Sequence, residues 1–391
     1  MRIERMTIKN FRVFRDVTIE RIPPLAFFVG ANGSGKSTFF DVFGFLRDAL
    51  QHNVSVAVSR RGGMKELRSR EQDGGDIFLE IKFREEAEGP LVTYQISVAE
   101  QEGRVSVAHE ALKYRRGQYG QPWNFLNFQH GEGYAVTNEA EYGVPEAEMN
   151  REFQKLDSPD ILAIKGLGQF ERFKVVSAFR RLIERWHLSD FHIHAARPSQ
   201  EDGYAEHLSP QGDNLPLVAR FLYERHPEVF RRILERMKQR IPGVERVEAA
   251  STVDGRLVLR FQDGAFRDPF LSRHVSDGTI KMFAYLVLLH DPSPHPLLCV
   301  EEPENQLYPM LMRELAEEFR DYARRGGQVM ISTHSPELLD AAKVEEVFGF
   351  EKKEGFTKVF RVKDNAQVRS LLAEGDTLGA LWGQGLLWRS A

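Results

Sequence analysis

Apolar and polar positions along the chain change period several times, and each change predicts an element. Near the start, Met6-Thr7-Ile8-Lys9-Asn10-Phe11-Arg12 and Val17-Thr18-Ile19 alternate with the period of two expected of short strands. Leu25-Ala26-Phe27-Phe28-Val29 is an unbroken apolar run and reads as a buried strand. The period then lengthens: Phe39, Phe40, Phe43, Leu46 and Leu50 recur at helical spacing. Three β-rich runs at 77–83, 91–98 and 105–113, punctuated by Gly89-Pro90 and Glu102-Gly103, predict an antiparallel sheet. Residues 117–170 are rich in Gly, Asn, Pro and Glu with weak periodicity and read as loop with some short helix. Helical spacing returns at Phe173, Val176, Phe179, Leu182, Ile183 and Trp186, and again over 215–240, where Pro227 marks a break. Residues 244–261 read as a hairpin about Asp254-Gly255, and 344–350 with 357–362 as a strand pair around Lys-Glu-Gly. No heptad pattern persists, so no long coiled coil is expected.

Between the buried strand and the first helix lies Gly30-Ala31-Asn32-Gly33-Ser34-Gly35-Lys36-Ser37, which matches G-x-x-x-x-G-K-[ST] at every fixed position. Strand, Gly-rich loop and helix occur in the order a phosphate-binding loop requires. Glycines at 30, 33 and 35 allow positive φ and a close approach of backbone to phosphate, so consecutive N–H groups and the helix start, with Thr38 in its first turn, surround the anion. Lys36 would reach the β- and γ-phosphates, and Ser37 would be a ligand of Mg²⁺.

Composition narrows the reading. At 391 residues the chain suits one large α/β domain with an insert, or two domains. A formal charge of −4 leaves nucleic-acid contact to local patches. Cys299 is the single cysteine, so no disulfide forms within the chain, which fits a reducing, cytoplasmic compartment. No apolar run reaches the ~18 residues of a membrane helix.

The second half supplies matching chemistry. Leu297-Leu298-Cys299-Val300 runs into Glu301-Glu302-Pro303-Glu304, a strand ending in adjacent carboxylates. Alone it reads as a strand end with solvated acids. Beside a phosphate loop, Glu301 would hold the Mg²⁺ shell and Glu302 would orient and polarise the attacking water. Gly326-Gly327-Gln328-Val329-Met330-Ile331-Ser332-Thr333-His334 is a turn, a strand and a histidine, and His334 would donate a hydrogen bond to the γ-phosphate. Val275-Ser276-Asp277-Gly278-Thr279 precedes an apolar helix face, with Ser276 a suitable N-cap and Gly278 leaving N–H groups open to an anion.

As an ordered set, Asn10-Phe11-Arg12, the phosphate loop at 30–37, Ser276-Asp277-Gly278-Thr279, Glu301-Glu302-Pro303-Glu304-Asn305-Gln306-Leu307-Tyr308-Pro309 and Thr333-His334-Ser335-Pro336 resemble the ATP-binding-cassette (ABC) ATPases, in their RecF/SMC-like, AAA-type branch. The ending Gly375-Asp376-Thr377-Leu378-Gly379-Ala380-Leu381-Trp382 is similar to that family too, and the likeness is weakest over 117–210. The resemblance implies an α/β ABC-ATPase head, a P-loop NTPase with an antiparallel β subdomain and a helical lobe. Its expected layout is an N-terminal lobe at 1–116, an inserted helical lobe at 117–264 and a C-terminal lobe at 265–391. It also implies a homodimer with ATP between the subunits, Ser276, Asp277 and Gly278 of one facing the γ-phosphate held by Lys36 of the other. Glu304-Asn305-Gln306-Leu307 would cross the dimer axis, and Arg12 would contact nucleotide. Gln169 is the candidate for the glutamine that such enzymes bring to the metal.

Asp277 and Thr279 stand where transporter ATPases have Gly and Gln, which argues against a transporter subunit. Glu301 replaces the commoner Asp, a variant of RecF-like and OLD-like relatives that puts the catalytic rate in question. The 57 residues after His334 leave no room for the nuclease domain OLD-like relatives append there. The resemblance therefore implies a slow ATPase acting on DNA in repair or genome maintenance. The other implied role is a nucleotide-controlled switch for a partner nuclease or toxin in anti-phage defence. Basic runs at Arg60-Arg61, Lys65, Arg68, Arg70 and at Arg231-Arg232, Arg236, Lys238, Arg240 are candidates for DNA contact, although such runs are usually solvated faces. His187, His192 and His194 crowd together, the last two on one face of an expected strand, without the partner spacing of a zinc site.

Overall fold

Alternation near the N-terminus is realised as a strand, Arg2–Phe11, that pairs antiparallel with both Phe14–Glu20 and Ile77–Arg84. The computed structural model describes residues 2–70, 74–85, 89–114, 122–137, 150–191 and 193–388. The chain divides into two units, residues 1–186 with 348–364, and residues 187–347 with 365–391.

The first unit holds an eight-stranded antiparallel sheet, in the order Phe14–Glu20, Arg2–Phe11, Ile77–Arg84, Leu91–Gln101, Arg104–Tyr114, Trp123–Gln129, Glu132–Val136 and Arg151–Lys155. The last three strands correct the reading of 117–170 as loop. Burial alternates only in the last of them, Asn124 and Asn127 interrupt the apolar signal of the first, and the turn between the first two is His130-Gly131, with both residues at positive φ. Within that stretch, 117–121 and 138–149 lie outside the described residues.

Beneath the phosphate loop the same unit packs an aromatic core. Leu25–Val29 is buried throughout, and helix Lys36–Gln51 buries Phe39, Phe40, Phe43, Leu46 and Leu50, the set its spacing predicted. Phe28 lies 4.7 Å from Phe39 and 5.4 Å from Phe348, between ring centres. Phe348 belongs to the hairpin Val347–Lys353 and Phe356–Arg361, whose turn residues Glu354 and Gly355 take positive φ. Helix Lys174–Glu184 stacks Phe179 on Phe83, 4.7 Å away.

The second unit places three parallel strands side by side: His187–Ser189, Leu297–Glu301 and Gln328–Thr333. They are buried almost without interruption, as parallel strands covered by helices are. Helix Asp277–Leu289 is buried from Thr279 onward. A small antiparallel sheet contains Val244–Ser251 and Arg256–Asp263, and helices Leu215–Arg225 and Pro227–Arg240 meet at His226, with Pro227 starting the second. Among the described residues no helix is long and apolar enough to cross a membrane.

Candidate nucleotide site

Different glycines of the phosphate loop do different work. Gly33 and Gly35 have φ of 75° and 102°, the left-handed region where a side chain is strained. Gly30 does not share that conformation, which corrects the expectation for it. A Cβ there would lie 2.6 Å from the Phe350 carbonyl oxygen and 2.4 Å from Ser34 Oγ, so Gly30 is required for space. Gly35 is also tightly enclosed, 2.6 Å from Thr357 Oγ1 to an added Cβ, and Thr357 Oγ1 donates to the Ser34 carbonyl at 2.7 Å. Thr357 thus pins the loop from the far end of the chain.

The loop leaves Ala31, Asn32, Gly33 and Ser37 exposed and buries Ser34 and Lys36. Lys36 Nζ donates to the Gly30 and Ala31 carbonyls at 2.6 and 3.3 Å. An ammonium that close to the loop's own backbone is placed to bind an anion entering over the helix start. Ser37 and Thr38 line an open cleft of about 420 Å³ with Arg12, Asp41, Arg60 and Arg61. Arg12 pairs with Asp41 at 2.9 Å, and Arg61 bridges Asp41 and Asp48 at 2.8 Å each. Asn10 explains its neighbourhood: its side chain donates to the Gly75 carbonyl at 2.9 Å and accepts from Ser69 N at 3.1 Å. Asn10 and Arg12 both have positive φ, which turns the chain after the first strand and aims Arg12 at the cleft.

In the second unit, Glu301 ends its strand opposite Ser332, and Glu302 takes φ of 41°, a costly conformation for a non-glycine. Glu302 N donates to the Ser332 carbonyl at 3.0 Å, while Asn305 Nδ2 donates to its carboxylate at 3.1 Å. His334 Nδ1 stands 3.4 Å from Glu302 Oε1 and 3.6 Å from Glu304 Oε1. Thus the structure brings Glu302 and His334 together. Glu304 orients the histidine, accepting from Thr333 Oγ1 at 2.7 Å and His334 N at 2.9 Å. From the closing motif, Trp382 Nε1 donates to the His334 carbonyl at 3.0 Å, and Gly379 N to Asp340 at 2.6 Å. Beneath the acids, Lys281 is buried and donates to the Asn305 carbonyl at 2.7 Å, and burial lowers its pKa to about 8.

Ser276 caps helix Asp277–Leu289, accepting from Thr279 N at 3.2 Å. Asp277 sits at the first helical position, where a carboxylate suits the helix dipole. Arg197 donates to Asp277 at 3.1 Å and to the Ser272, Arg273 and Val275 carbonyls at 3.0, 3.0 and 2.8 Å. Nothing local in the sequence marked Arg197.

Several other readings change. Gln169 is exposed and donates to the Lys165 carbonyl at 3.3 Å. His194 lies on a short helix, Ile193–Ala196, and not on a strand, while His192 lies outside the described residues. Arg236 and Arg240 pair with the buried Glu318 at 2.9 and 3.1 Å, and Arg231 with Glu228 at 2.9 Å, so this helix spends much of its charge within the chain.

The fold is that of an ABC-type, SMC-like ATPase head. A crystal structure of the SmcHead bound to the C-winged helix domain of ScpA matches with TM-score 0.58 at 15% identity, over 92% of this chain and 98% of that one. The Smc head domain with an extended coiled coil, bound to the C-terminal domain of ScpA derived from Pyrococcus furiosus, matches with TM-score 0.50 at 15% identity, over 95% and 99%. The chain belongs to the family described as "AAA domain, putative AbiEii toxin, Type IV TA system", matched over residues 25–340. No curated protein matches it.

Proposed function

We propose that the chain binds and slowly hydrolyses ATP, closes into a homodimer around the nucleotide, and acts on DNA in repair or genome maintenance. The observation that carries this reading is the phosphate loop, with Lys36 buried on its own carbonyls and two glycines at positive φ. Lys36 binds the β- and γ-phosphates, with backbone N–H groups of 30–38 around them and Arg12 beside the cleft. Glu302, held by Asn305 and His334, polarises the attacking water; His334 donates to the γ-phosphate. Ser276, Asp277 and Gly278 serve the nucleotide of a second copy. The exposed Ser37 hydroxyl and the Glu301 carboxylate offer the oxygen donors that a hard cation takes, and they are the side chains that would hold magnesium. Magnesium, when bound, offsets charge on the β- and γ-phosphates.

DNA as target is supported by a cleft of about 560 Å³ in the first unit, where Arg12, Arg61, Arg68, Arg70 and Lys352 outnumber the acidic Glu66 and Glu354. A second reading, a nucleotide-controlled switch for a partner nuclease or toxin in anti-phage defence, is favoured by the family description, which names a toxin of a toxin–antitoxin system. The described relatives bound to ScpA are in keeping with a protein partner. ATP hydrolysis measured with Mg²⁺, with and without linear duplex DNA at two salt concentrations, separates the readings. Stimulation that weakens as salt rises is the expected result; unchanged hydrolysis with ATP binding intact would move the target to a protein.

A further inference from the structure

The second unit holds a cluster that the nucleotide chemistry does not use. One ring nitrogen each of His207 and His295 and one carboxylate oxygen of Asp291 all lie within 4.8 Å of one another. The geometry points to a binding site for one borderline divalent transition ion, of the zinc class, held by His207, Asp291 and His295 with a solvent ligand completing four-coordination.

The donors suit that ion. Two imidazoles with one carboxylate select zinc-class ions over magnesium or calcium, which take oxygen. Three protein ligands and an open fourth position form a recurrent zinc arrangement. Each ligand is also held from behind. Ser293 N donates to Asp291 Oδ1 at 2.8 Å, leaving Oδ2 toward His207 Nδ1 at 2.7 Å. Asn214 Nδ2 donates to the His207 carbonyl at 2.9 Å and fixes that loop. Tyr322 Oη donates to the His295 carbonyl at 2.5 Å, and the His187 ring lies 4.8 Å from the His295 ring. The bond to Asp291 orients its carboxylate, as outer contacts orient metal ligands, while the two bonds to main-chain carbonyls fix the backbone that carries the histidines. Zinc at about 2.0–2.1 Å from each donor needs them about 3.3 Å apart, so the His207–Asp291 pair opens slightly and His295 closes in. The His207 side chain, 44% exposed, has room to turn.

The ion would tie the loop before helix Leu215–Arg225 to the connection between helix Asp277–Leu289 and strand Leu297–Glu301. It would thereby brace the elements that carry the signature serine and the acid pair, independently of whether nucleotide binds.

The test is titration of the chelator-stripped full chain with Zn²⁺ against a chromophoric competitor, with Co²⁺ substitution read by visible d–d absorption. One Zn²⁺ per chain, retained in excess Mg²⁺, is expected, with the intense bands of four-coordinate cobalt. His207→Ala and Asp291→Asn should each weaken it at least tenfold, whereas His334→Ala, at the other histidine–carboxylate group, should not. Absence of stoichiometric Zn²⁺, or equal affinity in wild type and His207→Ala, means the cluster is only a His207–Asp291 hydrogen bond and overturns the proposal. Because His207 is exposed, its variant decides the matter even if Asp291→Asn fails to fold.

Discussion

Glu302 has a strained backbone, accepts from Asn305 and stands 3.4 Å from His334, in keeping with its proposed role as the carboxylate that polarises the attacking water. Glu302→Gln is expected to leave ATP affinity within twofold and to lower turnover by about 100-fold or more, the usual contribution of a general base; single-turnover hydrolysis alongside equilibrium binding reads both. At Gly30 the limit is steric. Gly30→Ala places a methyl against the Phe350 carbonyl, so it should lower both the melting temperature and ATP affinity, while Ala31→Ser, at an exposed position, should change neither. These residues were legible because their chemistry is contiguous: eight neighbouring residues specify the phosphate loop, and four the acid pair and its partner. The residues that hold them were not. Thr357 reaches Ser34 across 323 positions and Arg197 reaches Asp277 across 80, and no local period encodes such a bond.

Among the elements, long periodic segments were read correctly, as in helix Lys36–Gln51, where the predicted apolar set is buried. The strands at Trp123–Gln129, Glu132–Val136 and Arg151–Lys155 were missed because they are short, edge-ward and interrupted by polar residues. The neighbouring strand Arg104–Tyr114 carries a pH-sensitive contact. Glu110 is fully buried and accepts from Tyr94 Oη at 3.0 Å and from Ala163 and Ile164 N–H groups at 2.5 and 3.1 Å. Burial outweighs these bonds and pushes its pKa up to about 7. The folded state therefore holds a proton that the unfolded chain releases near pH 4.5, so this group's contribution falls as pH rises from about 4.5 to 7 and stays low above. The full difference is on the order of 3 kcal/mol. Glu110→Gln should remove that slope, seen as denaturant midpoints that differ from wild type more at pH 8 than at pH 5. A wild-type-like pH dependence in the variant would show that Glu110 does not titrate there.

At the scale of the whole molecule, the residues of the proposed nucleotide chemistry are divided between the units, the phosphate loop in one and the acids, histidine and Ser276 in the other. The resemblance read from ordered motifs agrees with the family and with the SMC-head fold. The basic runs proved less telling than their composition suggested, since Arg61, Arg68, Arg70, Arg236 and Arg240 all have carboxylate partners within the chain. Of these pairs only Arg70 with Glu66 is exposed on both sides; exposed pairs are worth little and exchange readily for phosphate, which is why salt is the informative variable for DNA. The central claim, that the loop at 30–37 holds the phosphates of ATP, is tested most directly by equilibrium binding of ATP with Mg²⁺ to wild type and Lys36→Ala. The account predicts saturable binding at one site per chain, weakened at least tenfold by the substitution; equal affinity in the two proteins would contradict it.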